Sequence, residues 1–178
     1  MKRINKIIVI GKAGSGKTTV ADILGREFGL PVYYMDRLFF DSQWKWKPKE
    51  ESIGKLEEIC GRDQWVLDSM GPDTAANNLK KADMVVFIDS SKFICLINVF
   101  KRRLKSMFIP RHEAPEGSDN KIYPSFIKKL VLNKNYKKKN WLPLMEKHND
   151  TTDFIFIKKA GKKSIHHLKQ TIITEYSV

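Results

Sequence analysis

The sequence predicts a doubly wound α/β domain, three layers deep, with a five-stranded parallel sheet between helices. Three observations predict it. Apolar runs of strand length alternate with longer segments of helical periodicity, no turn-linked hairpin joins consecutive strands, and the first run breaks into a glycine-rich loop that opens directly into a helical pattern. At 178 residues and 42% hydrophobic content, the chain fits one domain, residues 1–178, with a sizeable core.

Residues 4–10 form an apolar strand of the kind buried on both faces of a parallel sheet. After the glycines, Val20, Ile23, Leu24 and Phe28 mark one face of a helix that stops at Gly29, before Pro31. Residues 31–35 read as a second strand, and Asp36 follows in the crevice beyond the strand ends, where open α/β sheets bind ligands; its bland alternative is a helix cap. Phe39, Phe40, Trp44 and Trp46 come next, and their large area favours packing as core over stacking on a base. Pro48 suits the first turn of a helix running to Gly61. A third strand, residues 64–68, again ends in a carboxylate, Asp68. A short helix over 73–81 and a fourth strand over 84–89 follow.

Ser91 caps the next helix, whose Leu96, Ile97, Phe100 and Leu104 are expected to face inward. Its last turns carry Lys101, Arg102, Arg103 and Lys105, cations that also suit the macrodipole. Residues 106–121, with Pro110, Pro115 and Gly117, read as a mobile lid that leaves Arg111 exposed in the free protein. A helix over 123–149 is expected to break at Pro143, a fifth strand covers 154–157 and a closing helix 164–176. Cys60 and Cys95, isolated in helical patterns, suit reduced buried thiols, and the adjacent His166 and His167 point to different sides of their helix, unlike a metal pair.

The net charge is +13, unevenly placed: residues 121–178 hold 13 of the 33 basic residues and only 4 of the 20 acidic ones. A basic C-terminal third favours anionic partners, with DNA as one expectation and a solvated enzyme face as the other. No segment approaches the roughly 18–20 apolar residues of a membrane span, and the N-terminus has no signal-peptide pattern. A cytoplasmic protein without a membrane partner is expected, its oligomeric state open.

Gly11, Gly16, Lys17 and Thr18 satisfy the phosphate-loop spacing G-x-x-x-x-G-K-[ST] between a strand and a helix. Gly11, Lys12, Ala13, Gly14, Ser15, Gly16, Lys17, Thr18 and Thr19 are thus the expected nucleotide-binding residues. The glycines let successive amide N–H groups turn inward on a polyphosphate, Lys17 answers the β- and γ-phosphates, and Thr18 offers a hydroxyl to Mg²⁺. No Asn/Thr-Lys-x-Asp guanine signature occurs, which favours ATP.

This loop, the carboxylates ending the second and third strands, and Lys101-Arg102-Arg103 leading to Arg111 resemble the small P-loop kinases such as adenylate and shikimate kinase. With Tyr34-Met35-Asp36, Leu38-Phe39 and Trp65-Val66-Leu67-Asp68, the whole chain more closely resembles the bacterial DNA topology modulation proteins of FlaR type. The resemblance implies the strand order 2-3-1-4-5 and a lid near 106–121. In the kinases the third-strand Asp is commonly followed by Gly, whereas here Ser69 and Met70 intervene before Gly71. The expected activity is transfer of a phosphoryl group from Mg-ATP to a small hydroxyl acceptor, with Thr18 and Asp68 holding the metal. Lys17, Asp36, Arg102, Arg103 and Arg111 are the expected catalytic set. A nucleotide-gated DNA-binding regulator and a plain ATPase are the alternatives.

Overall fold

In the computed structural model the described residues are 2–69, 78–109, 111–119, 124–132, 138–148 and 150–177. Five parallel strands form the central sheet: β1 (Lys6–Gly11), β2 (Val32–Tyr34), β3 (Trp65–Asp68), β4 (Met84–Ile88) and β5 (Asp153–Ile157). Their order is β2-β3-β1-β4-β5, the expected 2-3-1-4-5. Ile8 of β1 lies opposite Leu67 on one side and Val85 on the other, so the strand bearing the phosphate loop is central. A second, two-stranded parallel ladder pairs Lys2–Arg3 with Tyr176–Ser177.

Side chains of successive strand residues point to opposite faces, and here both faces are apolar. On one face Ile8, Ile10, Leu67, Val85 and Phe87 pack with residues of α2 (Met35–Phe39), α3 (Lys49–Gly61) and α6 (Lys138–His148). On the other, Ile7, Val9, Val66, Met84 and Val86 pack with α1 (Lys17–Phe28) and α7 (Lys162–Glu175). This is the three-layer sandwich, and every loop that follows a β-strand's carboxyl end emerges on one edge of it.

Several expectations are corrected. The second strand stops at Tyr34, and Asp36 sits in the first turn of the short α2 instead of capping it. Of the aromatic group only Phe39 is buried. Phe40 and Trp46 stack with centroids 4.4 Å apart across an isolated antiparallel bridge, leaving Trp46 exposed.

Helix α4 (Lys92–Lys105) is rotated away from the predicted orientation: Cys95 and Val99 face inward with the expected Leu96 packed partly buried beside them, while Ile97, Phe100 and Leu104 are exposed. Its inward side meets the glycine loop at Gly14, which lies against the Cys95 carbonyl and the Val99 side chain. Pro143 lies inside α6 on its exposed side, so the helix does not break there. The helix before it, α5 (Pro124–Leu132), is separated from α6 by residues 133–137, which are outside the described set. The predicted helix over 73–81 also falls partly outside it; its described end, Leu79–Lys81, is one 3₁₀ turn. Cys60 and Cys95 are free and buried, as expected, and burial pushes both thiols up. No helix among the described residues is long and apolar enough to cross a membrane.

Candidate active site

The site is built where β1 ends. Gly14 (φ 77°) and Gly16 (φ 97°) adopt the left-handed conformation that lets the loop fold back before α1 begins at Lys17. Helix α4 braces this loop from the side. A Cβ on Gly14 would overlap the carbonyl of Cys95, and Asn98 Nδ2 donates to the Gly14 carbonyl at 2.8 Å. Lys12 Nζ donates to the Ser90 carbonyl at 2.9 Å and pairs with Asp89 at 3.5 Å, fixing the loop's other shoulder. Gly14→Ala should therefore destabilise the fold by at least about 1–3 kcal/mol, the cost of a left-handed non-glycine residue, before the steric overlap is added. Thermal unfolding would check it, and a melting point equal to wild type would refute this account of the loop.

On the opposite side of the loop, Thr18 Oγ1 donates to Asp68 Oδ2 at 2.6 Å. Asp68 is buried, and among the described residues its Oδ1 has no hydrogen-bond partner, as is true of the Ser15 hydroxyl within the loop. Burial raises the Asp68 carboxyl above its usual range, against the opposing pull of Lys17 and the Thr18 hydrogen bond. An orphaned carboxylate oxygen beside a hydroxyl and a phosphate loop fits a hard divalent cation that keeps most of its waters, the habit of Mg²⁺. No cluster of three or more His, Cys, Asp or Glu suited to a metal occurs among the described residues.

Across the crevice the segment 111–119 is packed down rather than loose. Arg111, only 13% exposed, donates from Nε to Glu113 Oε1 at 2.9 Å, and its guanidinium lies 5.5 Å from the Trp44 ring centroid. Trp44 holds this position with a positive φ of 59° and an indole N–H donated to the Asp119 carbonyl at 3.2 Å. The expected exposure of Arg111 is thus wrong, because Glu113 supplies a buried counter-charge that no local pattern announces. Arg102 approaches the same Glu113 oxygen at 3.8 Å. Burial and the adjacent Arg111 pull the Arg102 guanidinium's proton affinity down, which marks two crowded cations sharing one carboxylate. Arg103 makes no ion pair with this cluster.

The segment is also fastened to α1: His112 Nε2 lies 3.0 Å from Asp22 Oδ2, and Tyr34 donates its hydroxyl to Asp22 Oδ1 at 2.6 Å. A cavity of about 400 Å³ opens beside it, lined by Arg37, Arg111, His112 and Pro115 among others. Asp36 is half-buried, and together with Asp68 it acts electrostatically on Arg102.

Burial alone would raise the Glu113 carboxyl, but the charge and hydrogen bond of Arg111 outweigh it and hold Glu113 below the ordinary glutamate range. A depressed folded-state value stabilises the protein above the unfolded-state pKa, and that stabilisation is lost as pH falls through the folded-state value. Glu113→Gln should remove this component, so its stability should fall less than wild type's between neutral pH and about pH 3. Parallel acid-unfolding curves for the two proteins would overturn the pairing.

The structure thus joins Lys17, Thr18 and Asp68 at one end of the crevice and Arg102 and Arg111 at the other, with Asp36 beyond the second strand. Asn98 and Glu113 were not foreseen, and Trp44, expected as core in preference to stacking on a base, instead carries the Arg111 guanidinium. Asn98 was the readable one: a lone amide four residues before Arg102 puts both on one helical face. The basic tail also gains a partial explanation. Ala160, between Lys158-Lys159 and Lys162-Lys163, lies where a Cβ on Gly16 would meet it at 2.5 Å, so this run of cations borders the phosphate loop.

These features define the fold of the small P-loop kinases. Solved structures agree. A shikimate kinase from Acinetobacter baumannii in complex with shikimate is similar at a TM-score of 0.56 with 17% identity, over 97% of this chain and 94% of that one. A deoxyadenosine kinase from M. mycoides with bound dATP is similar at 0.54 with 14% identity, over 95% and 99%. A gluconokinase from Sinorhizobium meliloti 1021 is similar at 0.50 with 13% identity, over 98% and 99%. No protein-family model matches the sequence, and no curated protein matches it.

Proposed function

We propose that this protein is an ATP-dependent phosphotransferase acting on a small, hydroxyl-bearing acceptor. The observation that carries the reading is the Thr18–Asp68 hydrogen bond beside Lys17, with the second Asp68 oxygen buried and unpartnered among the described residues. In this reading the loop amides and Lys17 hold the β- and γ-phosphates, and Thr18 with Asp68 holds Mg²⁺, directly or through water. The bound ion supplies neutralisation of charge on the phosphate oxygens.

Asp36 orients the acceptor hydroxyl and takes its proton as the oxygen attacks phosphorus. Arg102 and Arg111 release Glu113 and turn to the transferring group, where a guanidinium fork matches phosphoryl oxygens. Loop 111–119 closes the crevice against water, which favours transfer over hydrolysis.

The test is a screen for acceptor-dependent ADP release, with nucleosides, deoxynucleosides, nucleotides, shikimate and gluconate among the acceptors. The last two classes of small alcohol are included because structurally similar kinases carry them in their names. ADP released only with an acceptor supports the reading. ADP released at the same rate without one makes the protein an ATPase, and no release with any acceptor sinks the proposal.

A further inference from the structure

Helix α4 turns its larger apolar face outward. Phe93, Ile97, Phe100 and Leu104 recur at helical intervals on the side opposite Cys95 and Val99, and Phe93 is 72% exposed, Phe100 53% and Leu104 64%. The row continues through the following turn in Met107, Phe108 and Ile109, with Phe108 86% exposed. A helix advances about 100° per residue. Lys101 and Lys105 therefore fall along one margin of the row, and Lys92 and Arg103 along the other. Between Ser90 and His112 the chain has no carboxylate at all.

A continuous exposed row of this size marks an interaction surface, and the charges beside it select the partner. A second copy paired antiparallel about a two-fold axis would set basic margins against basic margins, a like-charge clash at short range. An anionic lipid surface receives the same face favourably. Large apolar side chains enter the acyl boundary while lysine and arginine stems reach back to the phosphates, and the net +13 charge adds attraction at a distance.

We infer that α4 and the turn after it dock on the surface of an anionic phospholipid membrane. The mode is peripheral, so it needs no membrane-crossing helix. It is also separate from the phosphotransfer reading, because Asn98 and Arg102 use the other side of the helix.

The test is co-sedimentation of the full chain with vesicles of phosphatidylcholine alone or with about 30% phosphatidylserine, at low and high salt. Binding should favour the anionic vesicles by about tenfold or more and weaken with salt. Phe108→Glu and Leu104→Glu should each reduce it about tenfold. The paired reversal Lys101→Glu/Lys105→Glu should weaken the anionic preference severalfold, and Ile173→Glu, at an exposed apolar position on α7, should change nothing.

Phe108 and Leu104 are solvent-facing, and unchanged melting curves would show that both variants stay folded. Absence of binding to anionic vesicles would overturn the inference, as would binding indifferent to Phe108→Glu. So would a wild-type dimer that Phe108→Glu converts to a monomer without any vesicle binding, which would give the row to a second copy.

Discussion

Lys17→Ala should abolish stabilisation by Mg-ATP while leaving the apo fold intact. Lys17 opens α1 with its ammonium at the loop, and its hydrogen bond among the described residues, to the Lys12 carbonyl at 3.4 Å, is long. It belongs to neither face of the core, so truncation leaves no cavity. Its charge answers the phosphates, where it has no substitute within the loop: Lys12 is already committed to Ser90 and Asp89. Nucleotide at about 100 times its dissociation constant should stabilise the wild type by about 2.7 kcal/mol. The variant should melt as the apo wild type does and gain almost nothing from Mg-ATP. Equal ligand-induced shifts in the two proteins would remove the phosphate loop from the account.

The second large effect is expected from Asp36→Asn. The carboxylate lies in the first turn of α2, makes no hydrogen bond among the described residues, and belongs to a different strand end from the phosphate loop. An amide keeps its shape but cannot take a proton. Once an acceptor is identified, transfer should fall by about 10²–10⁴, while the Mg-ATP-induced melting shift stays as in wild type. The contrast with Lys17→Ala is the informative part, because one variant loses nucleotide binding and the other keeps it. Normal turnover in Asp36→Asn would leave that residue with a structural role only.

Much of this architecture was legible because it is written in local terms. The phosphate loop is a fixed spacing of glycines, lysine and threonine, and the strands are short apolar runs, so the sheet and the place of Lys17, Thr18 and Asp68 follow directly. What was not legible depends on partners distant in sequence. The rotation of α4 is set by the Gly14 backbone against Cys95 and Asn98, 84 residues away in the case of Asn98. Periodicity identified an apolar face on that helix and could not say that the smaller face was the buried one. Likewise the segment 111–119 has the prolines and glycine of a loose loop, yet the buried Glu113 gathers Arg111 and Arg102, and Asp22 holds His112. Charge pairing between elements leaves no periodic trace.

The seat of Arg111 over Trp44 gives the protein an optical gauge of its own. Trp65 and Trp141 are fully buried in the core, and Trp46 stacks on Phe40, so Trp44 alone reads the position of this arginine. A cation held against an indole alters its excited state. If Arg111 leaves for a phosphoryl group, the intrinsic emission of Trp44 should change in intensity or wavelength in step with ligand saturation. Subtracting the signal of Trp44→Phe isolates that emission, and a ligand titration in which the difference stays flat would place Arg111 on its indole throughout turnover. Closure could then be followed in real time by stopped-flow, with no attached dye and before the acceptor's identity is known.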